Sequence, residues 1–479
     1  MTTARATKTS RPRPAIQIFV RGVPKFRLGQ QDGVALAALV LLAFSLLFGG
    51  ASRQHELRLS LVELAALPLL VLALRGLLKR DDLPAHRFGL GLAAAAAALP
   101  LVQLIPLPPA VWMALPGREQ LVLALEITGI PVGWVPLTFT PDKTWSSFLA
   151  LLPPLAMFLG LLMMHGGSRL RLAYFVLGAT LVSILLGAAQ LASGGDQLHP
   201  WATTDAGNVA GFFANRNHLA TLCLIGIPFA TVLGSAALRR GGSRLPLWLA
   251  ILYVALTVVA LGVIRSRAGV ILFAPVLGAS LLAAWVAAGR GRPRPLLLGL
   301  IGGAAVAFAA VGAFAAAPLL ARFDPGGAPE GRFENWPIVA EAAEAHLPLG
   351  SGLGSFDAVY RSVEPLERLD PTYFNQAHND YLETWLEAGW IGAALIIAFL
   401  VWFGRRSWTA WRAGVSTQRD LQRAATIAIG AVLLHSAVDY PLRTAALATV
   451  FALCCGLLEL AVRADAELSA ERRRSRRAR

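Results

Sequence analysis

The sequence is poor in charge and in cysteine. Only 15% of its 479 residues are charged, whereas 56% are hydrophobic, and the mean hydropathy is +0.59. A soluble chain of this length would form several domains with polar surfaces, so the composition predicts one large membrane unit. All three cysteines, Cys223, Cys454 and Cys455, lie within hydrophobic runs. They are therefore interpreted as small packing residues rather than as a disulfide framework.

Motifs for metal and nucleotide chemistry are also lacking. The sequence contains no His-Glu-x-x-His pattern and no Asp-x-Asp pair in a predicted outer loop. The glycines of Gly350–Gly354 lack the spacing of a nucleotide loop and follow no predicted strand, so they are interpreted as a tight turn. We accordingly predict no metal site and no cofactor.

Long hydrophobic runs dominate what is present. A membrane-crossing helix needs roughly 20 apolar residues, and about twelve runs approach that length. They are 33–50, 57–78, 88–106, 146–164, 170–192, 217–238, 246–264, 268–288, 295–317, 381–403, 424–440 and 442–462. The fold class predicted is an all-α, polytopic transmembrane bundle of about 12 spans.

Positive charge is distributed unevenly along the chain. If the N-terminus is cytoplasmic, the loops on that side and the two basic tails hold most of the 43 lysines and arginines. Because basic residues accumulate on the cytoplasmic side, both termini are predicted there, with an even number of spans. The net charge of +15 therefore indicates tails that contact anionic lipid of the bilayer, not a nucleic-acid surface.

This topology divides the chain into five segments. They are a basic cytoplasmic tail (1–32), a bundle of nine spans (33–317), a loop on the opposite side (318–380), three last spans (381–462) and a second basic cytoplasmic tail (463–479). The loop is the only non-membrane element predicted. Within it, the spacing of apolar residues predicts an amphipathic helix from Asn335 to His346, with Asn335 as its cap.

The most informative local pattern surrounds His378. Asp380 and Glu383 are typical of a capping box, which places His378 just outside the start of a helix. Ionisable groups are costly near hydrocarbon, so this cluster is a candidate functional site. A neutral imidazole beside a helix N-terminus can accept a proton from a hydroxyl while the helix dipole attracts an anion. His378 is therefore predicted to be a general base.

Seven arginines lie opposite the basic loops, against the charge bias. They are Arg216, Arg265, Arg267, Arg332, Arg361, Arg368 and Arg443. A cation there calls for a local partner, and the guanidinium fork donates paired hydrogen bonds to phosphate. Arg265 and Arg267, which flank Ser266, and Arg332 are predicted to bind a pyrophosphate-like group. Of the first two, Arg267 is favoured.

Several separated motifs resemble the bacterial O-antigen ligase and O-antigen polymerase superfamily. They are Phe213-Ala214-Asn215-Arg216-Asn217, Ser266-Arg267-Ala268-Gly269, Gly331-Arg332-Phe333, His346-Leu347-Pro348-Leu349-Gly350, Ala377-His378-Asn379-Asp380-Tyr381-Leu382-Glu383 and His435-Ser436-Ala437-Val438-Asp439-Tyr440-Pro441-Leu442-Arg443. Together they span about residues 140 to 460 in the order of the family. The resemblance implies a C-class glycosyltransferase-like bundle with a large periplasmic loop in the bacterial inner membrane.

The resemblance also implies a reaction. An undecaprenyl-pyrophosphate-linked glycan would be transferred with inversion to an acceptor hydroxyl at the periplasmic face, without metal or nucleotide, in cell-surface or exopolysaccharide biosynthesis. His378 would activate the acceptor, and Arg267 and Arg332, with Arg265 as the other candidate, would grip the pyrophosphate. Supporting positions are Asn215, Arg216, Asn217, Asn379, Asp380, Asp439 and Arg443, with Asp439 expected to orient Arg443 or its loop.

Alternatives stay open at this point. The acceptor is a second lipid-linked glycan, lipid A-core or a protein hydroxyl, and the closing motif around Asp439 slightly favours a polymerase. A different class, a transporter of an anionic lipid or sugar, would use the arginines as a relay, but internal repeats typical of transporters are not evident. A scaffold for glycan export is a third alternative, and it would not require His378.

Overall fold

The computed structural model is mostly helical. It describes residues 30–52, 56–194, 198–201, 209–241, 243–289, 302, 331–368 and 374–460. Within these ranges, 8 helices are long and apolar enough to cross a membrane. This agrees with the predicted all-α, multi-pass architecture.

The elements are numbered here in chain order. The helices are α1 (Gln30–Phe48), α2 (Glu56–Leu77), α3 (Arg87–Gln103), α4 (Pro109–Trp112), α5 (Glu119–Thr128), α6 (Pro141–Ala150), α7 (Leu152–Met163), α8 (Gly166–Ala192), α9 (Arg216–Arg239), α10 (Leu245–Ile264), α11 (Arg267–Ala288), α12 (Gly331–Ala345), α13 (Phe356–Val363), α14 (Asp380–Arg412), α15 (Thr417–His435) and α16 (Ala445–Glu459). The strands are β1 (Pro106–Leu107) and β2 (Val135–Pro136), which pair antiparallel.

Eight predicted spans coincide with the membrane-crossing candidates. They include the alanine-rich third run, where α3 and the preceding turn form one candidate from Leu83 to Gln103. α1 and α16 are apolar but shorter, and α15 begins at Thr417 with several polar residues. The predicted span 295–317 lies outside the described residues. The expected total of about twelve spans is therefore not confirmed.

α9 is the central helix of the bundle. Its membrane-crossing stretch is buried along its whole length, because its sequence is apolar on every face. It packs against α10, α11 and α15, while α1, α2, α7 and α16 pack together beside it. Small residues permit close approach, as where Gly234 lies against Ala250. The outer helices keep much of their apolar surface exposed, as expected for contact with lipid.

The chain alternates between two ends of the bundle. The site end is where α3, α8, α10 and α15 finish and where α6, α9, α11, α14 and α16 begin. Buried ion pairs lie at the opposite end: Asp420 bonds Arg239 at 2.7 Å and Arg423 at 3.2 Å, and Glu459 accepts from Arg406 Nε at 3.0 Å. Basic residues of the predicted cytoplasmic loops thus gather away from the site.

α14 bends near its start. Gly389 has φ 51° and ψ −139°, and a Cβ at this position would meet the carbonyl oxygen of Pro348. The Trp390 N–H donates to that same oxygen at 2.9 Å. Only glycine fits this conformation and this close approach without strain. The bend separates a short first section, Asp380 to Ala388, from the membrane-crossing section.

A second non-membrane element, which we call the hairpin element, covers residues 104–140. It contains β1, α4, α5 and β2, and it connects the site end of α3 to α6. The sequence pattern misses it, because strands of two residues and two short helices leave no periodic signal. Its end is bonded to the glycine turn: the Phe139 N–H donates to Ser351 O at 3.0 Å, and Thr144 Oγ1 donates to Leu353 O at 2.7 Å.

The predicted loop helix is present with a different start. α12 begins at Gly331, so Asn335 lies inside the helix and does not cap it, and the helix ends at Ala345. One face buries Val339, Ala342 and Ala343 in a cluster with α13. At the same time, Trp336 Nε1 donates to Ala377 O at 2.8 Å, which fastens α12 to the residue before His378.

Candidate functional site

The site begins with His378, one residue before the cap of α14. Its φ angle is +50°, in the left-handed region that residues other than glycine seldom adopt. The next residue, Asn379, accepts hydrogen bonds on Oδ1 from the N–H groups of Tyr381 at 3.0 Å and Leu382 at 3.1 Å. Strain of this kind costs about 1–3 kcal/mol and persists where the surroundings enforce it, which is typical of active sites.

The helix start is predicted correctly, but its cap is not. Asp380 and Glu383 do not form the expected capping box, since Asn379 is the capping residue. Glu383 Oε2 accepts instead from the Ala377 N–H at 2.9 Å. Asparagine and aspartate are equally good caps, so residue type alone does not distinguish the two positions.

Asp439 is the polar partner of His378. Its Oδ1 lies 3.2 Å from His378 Nδ1 and also accepts from the Tyr440 N–H at 3.0 Å. Its Oδ2 accepts from Asn215 Nδ2 at 3.4 Å. Asp439 is only 1% exposed, whereas the His378 side chain is 21% exposed. The imidazole is therefore partly accessible while the carboxylate is shielded.

This pairing sets the proton positions. Burial alone would raise the pKa of Asp439, but the hydrogen bond from His378 and the nearby imidazole of His218 lower it below its ordinary value. The carboxylate stays ionised and therefore holds the proton on His378 Nδ1. The Nε2 atom is then left as an acceptor, which is the form that a general base needs.

Aromatic rings hold the imidazole in place. Phe374 stacks on His378 with ring centroids 5.6 Å apart, and Tyr440 meets it edge to face at 4.7 Å. Tyr440 also meets the buried ring of His218 edge to face at 5.1 Å. Such contacts favour a single ring orientation.

A set of three buried carboxylates, which we call the carboxylate ladder, lies on one face of α14. It consists of Asp380, Glu383 and Glu387, at helical spacing, with exposures of 7%, 0% and 0%. Arg443 pairs with all three carboxylates. Its Nε lies 3.6 Å from Asp380 Oδ1, and its Nη1 lies 3.2 Å from Glu383 Oε1 and 2.8 Å from Glu387 Oε2. Burial alone would lower the pKa of Arg443, but the three carboxylates raise it overall. The guanidinium thus remains charged.

The ladder also connects three loops. Asp380 accepts from Ser436 Oγ at 2.7 Å, Glu383 accepts from the Ala377 N–H, and Glu387 accepts from the Gly354 N–H at 2.8 Å. These donors come from the segments before α16, before α14 and within the glycine turn.

Within the described ranges, no group of three or more His, Cys, Asp or Glu side chains is arranged to hold a metal ion.

Two of the predicted phosphate-binding arginines flank the start of α11. Arg265 is the exposed cap residue of α10 with φ 56°, and Arg267 is the half-buried first residue of α11. Between them, Ser266 Oγ accepts from the Gly269 N–H at 3.1 Å and caps α11. α11 packs against α9 and α15, so both arginines lie at the same end of the bundle as His378.

The remaining predicted positions fall into two groups. Arg216 and Asn217 begin α9 directly after Asn215, whose Oδ1 accepts from the Asn217 N–H at 2.8 Å and caps the helix. All three are partly exposed at the site end. Arg332 is the second residue of α12, but its side chain lies outside the described part of the structure. Asp439, which is predicted to orient Arg443 or its loop, bonds the Tyr440 N–H of that loop and pairs with His378.

Three further residues of the site are not predicted from the sequence as functional positions. Glu387 is missed although acidic residues at helical spacing within an apolar run are themselves a signal. His218 is 1% exposed with no hydrogen-bond partner on either ring nitrogen, and His435 Nδ1 lies 2.7 Å from Thr221 Oγ1. His218 approaches Asp439 only through tertiary packing, whereas His435 begins the closing motif, and its carbonyl oxygen accepts from the Asp439 N–H at 3.0 Å.

Many of the described helices are long and apolar, and an imidazole, carboxylates and arginines lie together at one end of the bundle. These features define an integral membrane protein with a polar site at the membrane boundary. Residues 252–397 match the family model described as O-antigen ligase. The match confirms the resemblance to the O-antigen ligase superfamily, and it indicates glycan transfer at a membrane. It includes Arg265, Arg267 and His378. No curated protein matches the chain.

Proposed function

We propose that the protein transfers a glycan from a polyprenyl-pyrophosphate donor to an acceptor hydroxyl, with His378 as the general base. The observation that supports this most is the pair of His378 and buried Asp439 at the site end of the bundle, in which the partly exposed imidazole pairs through Nδ1 and keeps Nε2 as the acceptor. The family match to O-antigen ligase supports the reaction class, because it covers the loop that carries this histidine.

The reaction is a displacement at the anomeric carbon. The acceptor hydroxyl gives its proton to His378 Nε2 as its oxygen forms the new glycosidic bond. The bond between the anomeric carbon and the pyrophosphate breaks, and its electron pair leaves with the pyrophosphate. Attack opposite the leaving group inverts the anomeric centre. Asp439 stabilises the imidazolium that forms, as a carboxylate does in other base pairs of this kind.

Arginine side chains are proposed to stabilise the negative charge of the leaving pyrophosphate. Arg267 with Arg265, and Arg332 on α12, are proposed to bind the pyrophosphate, since guanidinium groups offer paired donors that stay charged. The start of α11 adds the positive end of the helix dipole. Arg443 is assigned a different task, because its charge is already engaged by the carboxylate ladder.

The site end is proposed to face the periplasm, with both termini in the cytoplasm of a bacterial inner membrane. This orientation follows from the basic residues at the opposite end of the bundle. The donor is proposed to be undecaprenyl-pyrophosphate-linked. Its acceptor is another lipid-linked glycan in a polymerase, lipid A-core in a ligase, or a protein hydroxyl. Transfer is favoured over transport, because His378 and its partners lie at one end of the bundle.

The test is glycan transfer by the purified protein in membranes that contain a defined lipid-linked repeat. His378→Ala should abolish product formation while expression and thermal stability are retained. The matched control is His165→Ala, since His165 directly precedes α8 at the opposite end of the bundle. Turnover by His378→Ala at the control rate would refute the general-base assignment. Chain growth from the repeat alone, without a second acceptor, would identify a polymerase.

A further inference from the structure

The hairpin element carries a patch of exposed apolar side chains. Its members are Leu123 (54% exposed), Ile127 (76%), Ile130 (55%), Val132 (43%) and Trp134 (66%). No charged residue occurs between Ile127 and Thr140. α5 itself has no buried residue, so the described part of the chain leaves this surface uncovered. One charged residue, the exposed Glu126, lies among these side chains, and an exposed apolar patch of this kind marks an interaction site.

The position of the patch indicates what covers it. The hairpin element leaves the membrane-crossing helix α3 and returns to α6, which begins another crossing. Apolar side chains are exposed where the hairpin element joins these helices: Val102 and Ile105 are 54% and 53% exposed at the first junction, and Trp145 is 49% exposed at the second. The hairpin element is therefore flanked by the ends of two membrane-crossing helices, with the charged Asp142 and Lys143 at the start of α6.

We propose that residues 123–134 lie in the acyl-chain boundary of the leaflet at the site end. α5 has 10 residues, half of the roughly 20 that a crossing requires, so it lies along the surface and does not span. Trp134 is suited to this depth, because its ring is apolar and its indole N–H is polar. The partner is the lipid surface itself, not a second protein.

This membrane contact reaches the site through hydrogen bonds. Gln103, at the end of α3, donates from Nε2 to Glu387 O at 3.0 Å and accepts on Oε1 from the Leu353 N–H at 2.9 Å. Glu387 is a member of the carboxylate ladder beneath His378. The glycine turn and the ladder are thus bonded to the end of the helix from which the hairpin element extends.

Nitroxide labels measure this directly in the full-length protein in phosphatidylethanolamine and phosphatidylglycerol nanodiscs. The native Cys223, Cys454 and Cys455 are buried, so labels attach to introduced cysteines. The test positions are Ile127→Cys and Val132→Cys. Leu185→Cys, 68% exposed on α8, is the lipid reference, and Arg361→Cys, exposed on α13, is the aqueous reference. Relaxation by oxygen and by a water-soluble nickel chelate is compared at all four positions.

The expected result is an oxygen-to-nickel accessibility ratio at 127 and 132 that matches position 185 and exceeds position 361. A ratio equal to that at 361 at both test positions would overturn the proposal, because the patch would then face water. Low accessibility to both reagents would also overturn it, since a protein surface, such as a second copy of the chain, would then cover the patch. Two test positions guard against one label disturbing the fold.

Discussion

Replacing Asp439 by asparagine removes one charge from the site and keeps the shape of the side chain. Asp439 Oδ1 lies 3.2 Å from His378 Nδ1, and the carboxylate is 1% exposed. A hydrogen bond to a charged group contributes about 1.5–3 kcal/mol, and about 1.4 kcal/mol corresponds to a factor of ten in rate. We therefore expect kcat to fall about 10- to 100-fold in Asp439→Asn, because the imidazolium formed in the transition state loses its counter-charge.

The assay is the initial rate of glycan transfer from the lipid-linked repeat, with kcat and KM measured separately. KM for the donor should stay near the wild-type value, because Asp439 acts through His378. The matched control is Asp357→Asn, an exposed aspartate on α13. In a double variant with His378→Asn, the loss should not exceed that of His378→Asn alone. An unchanged kcat in Asp439→Asn, or additive losses in the double variant, would refute the coupling.

Asp439→Asn should also change how the stability of the protein depends on pH. The pKa of Asp439 is lowered in the folded protein from its ordinary value of 3.8 by the neighbouring imidazoles, although burial opposes this. A lowered folded pKa gives stability that is fully present above 3.8 and is lost as the pH falls toward the folded value. The wild-type unfolding temperature should therefore decline in that acidic range more steeply than that of Asp439→Asn. Parallel declines would contradict the assigned charge state.

Three further predictions test the surroundings of the site. Arg443→Met should destabilise the fold by about 3–5 kcal/mol, because it leaves buried carboxylates without a cation; an unfolding temperature equal to wild type would contradict this. Gly389→Ala should destabilise the fold by about 1–3 kcal/mol, because φ is positive at this position and the added Cβ would meet Pro348 O. The control is Gly404→Ala, where the added Cβ would have open space around it. Arg332→Lys keeps the charge but loses the paired donors, so KM for the donor should rise; wild-type donor dependence would argue against a bidentate contact.

The membrane-crossing helices are the part of the fold that the sequence predicts best. Their lengths follow from the bilayer, so the bounds of α8, α9, α10 and α11 lie within a few residues of the hydrophobic runs. α15 begins earlier than the predicted span, because Arg419, Asp420 and Arg423 are buried and form hydrogen bonds within the helix, so they do not interrupt it. The hairpin element has no comparable constraint on its length, which is why no pattern predicts it.

The site is predicted unevenly for a related reason. His378 and the start of α14 stand out, since polar residues directly before an apolar run are costly there and therefore informative. Asp439 and His378 are 61 residues apart in the sequence, so no local pattern predicts that they are in contact. Arg443 is predicted as a supporting residue, and its position against the charge bias indicates an anionic partner, but only the structure shows that its partners are carboxylates on the neighbouring helix.

The carboxylate ladder explains why the motifs of the site are so far apart along the chain. Three carboxylates face one guanidinium, so the cluster carries more negative than positive charge and depends on hydrogen-bond donors for the rest. Those donors are Ser436, Ala377 and Gly354, each from a different loop. A loop that moved away would leave a buried carboxylate unsatisfied, at a cost of about 1–3 kcal/mol or more. The loops that bring His378 and Asp439 together are thus held by the same buried charges, and the precision of the site follows from the electrostatics beneath it.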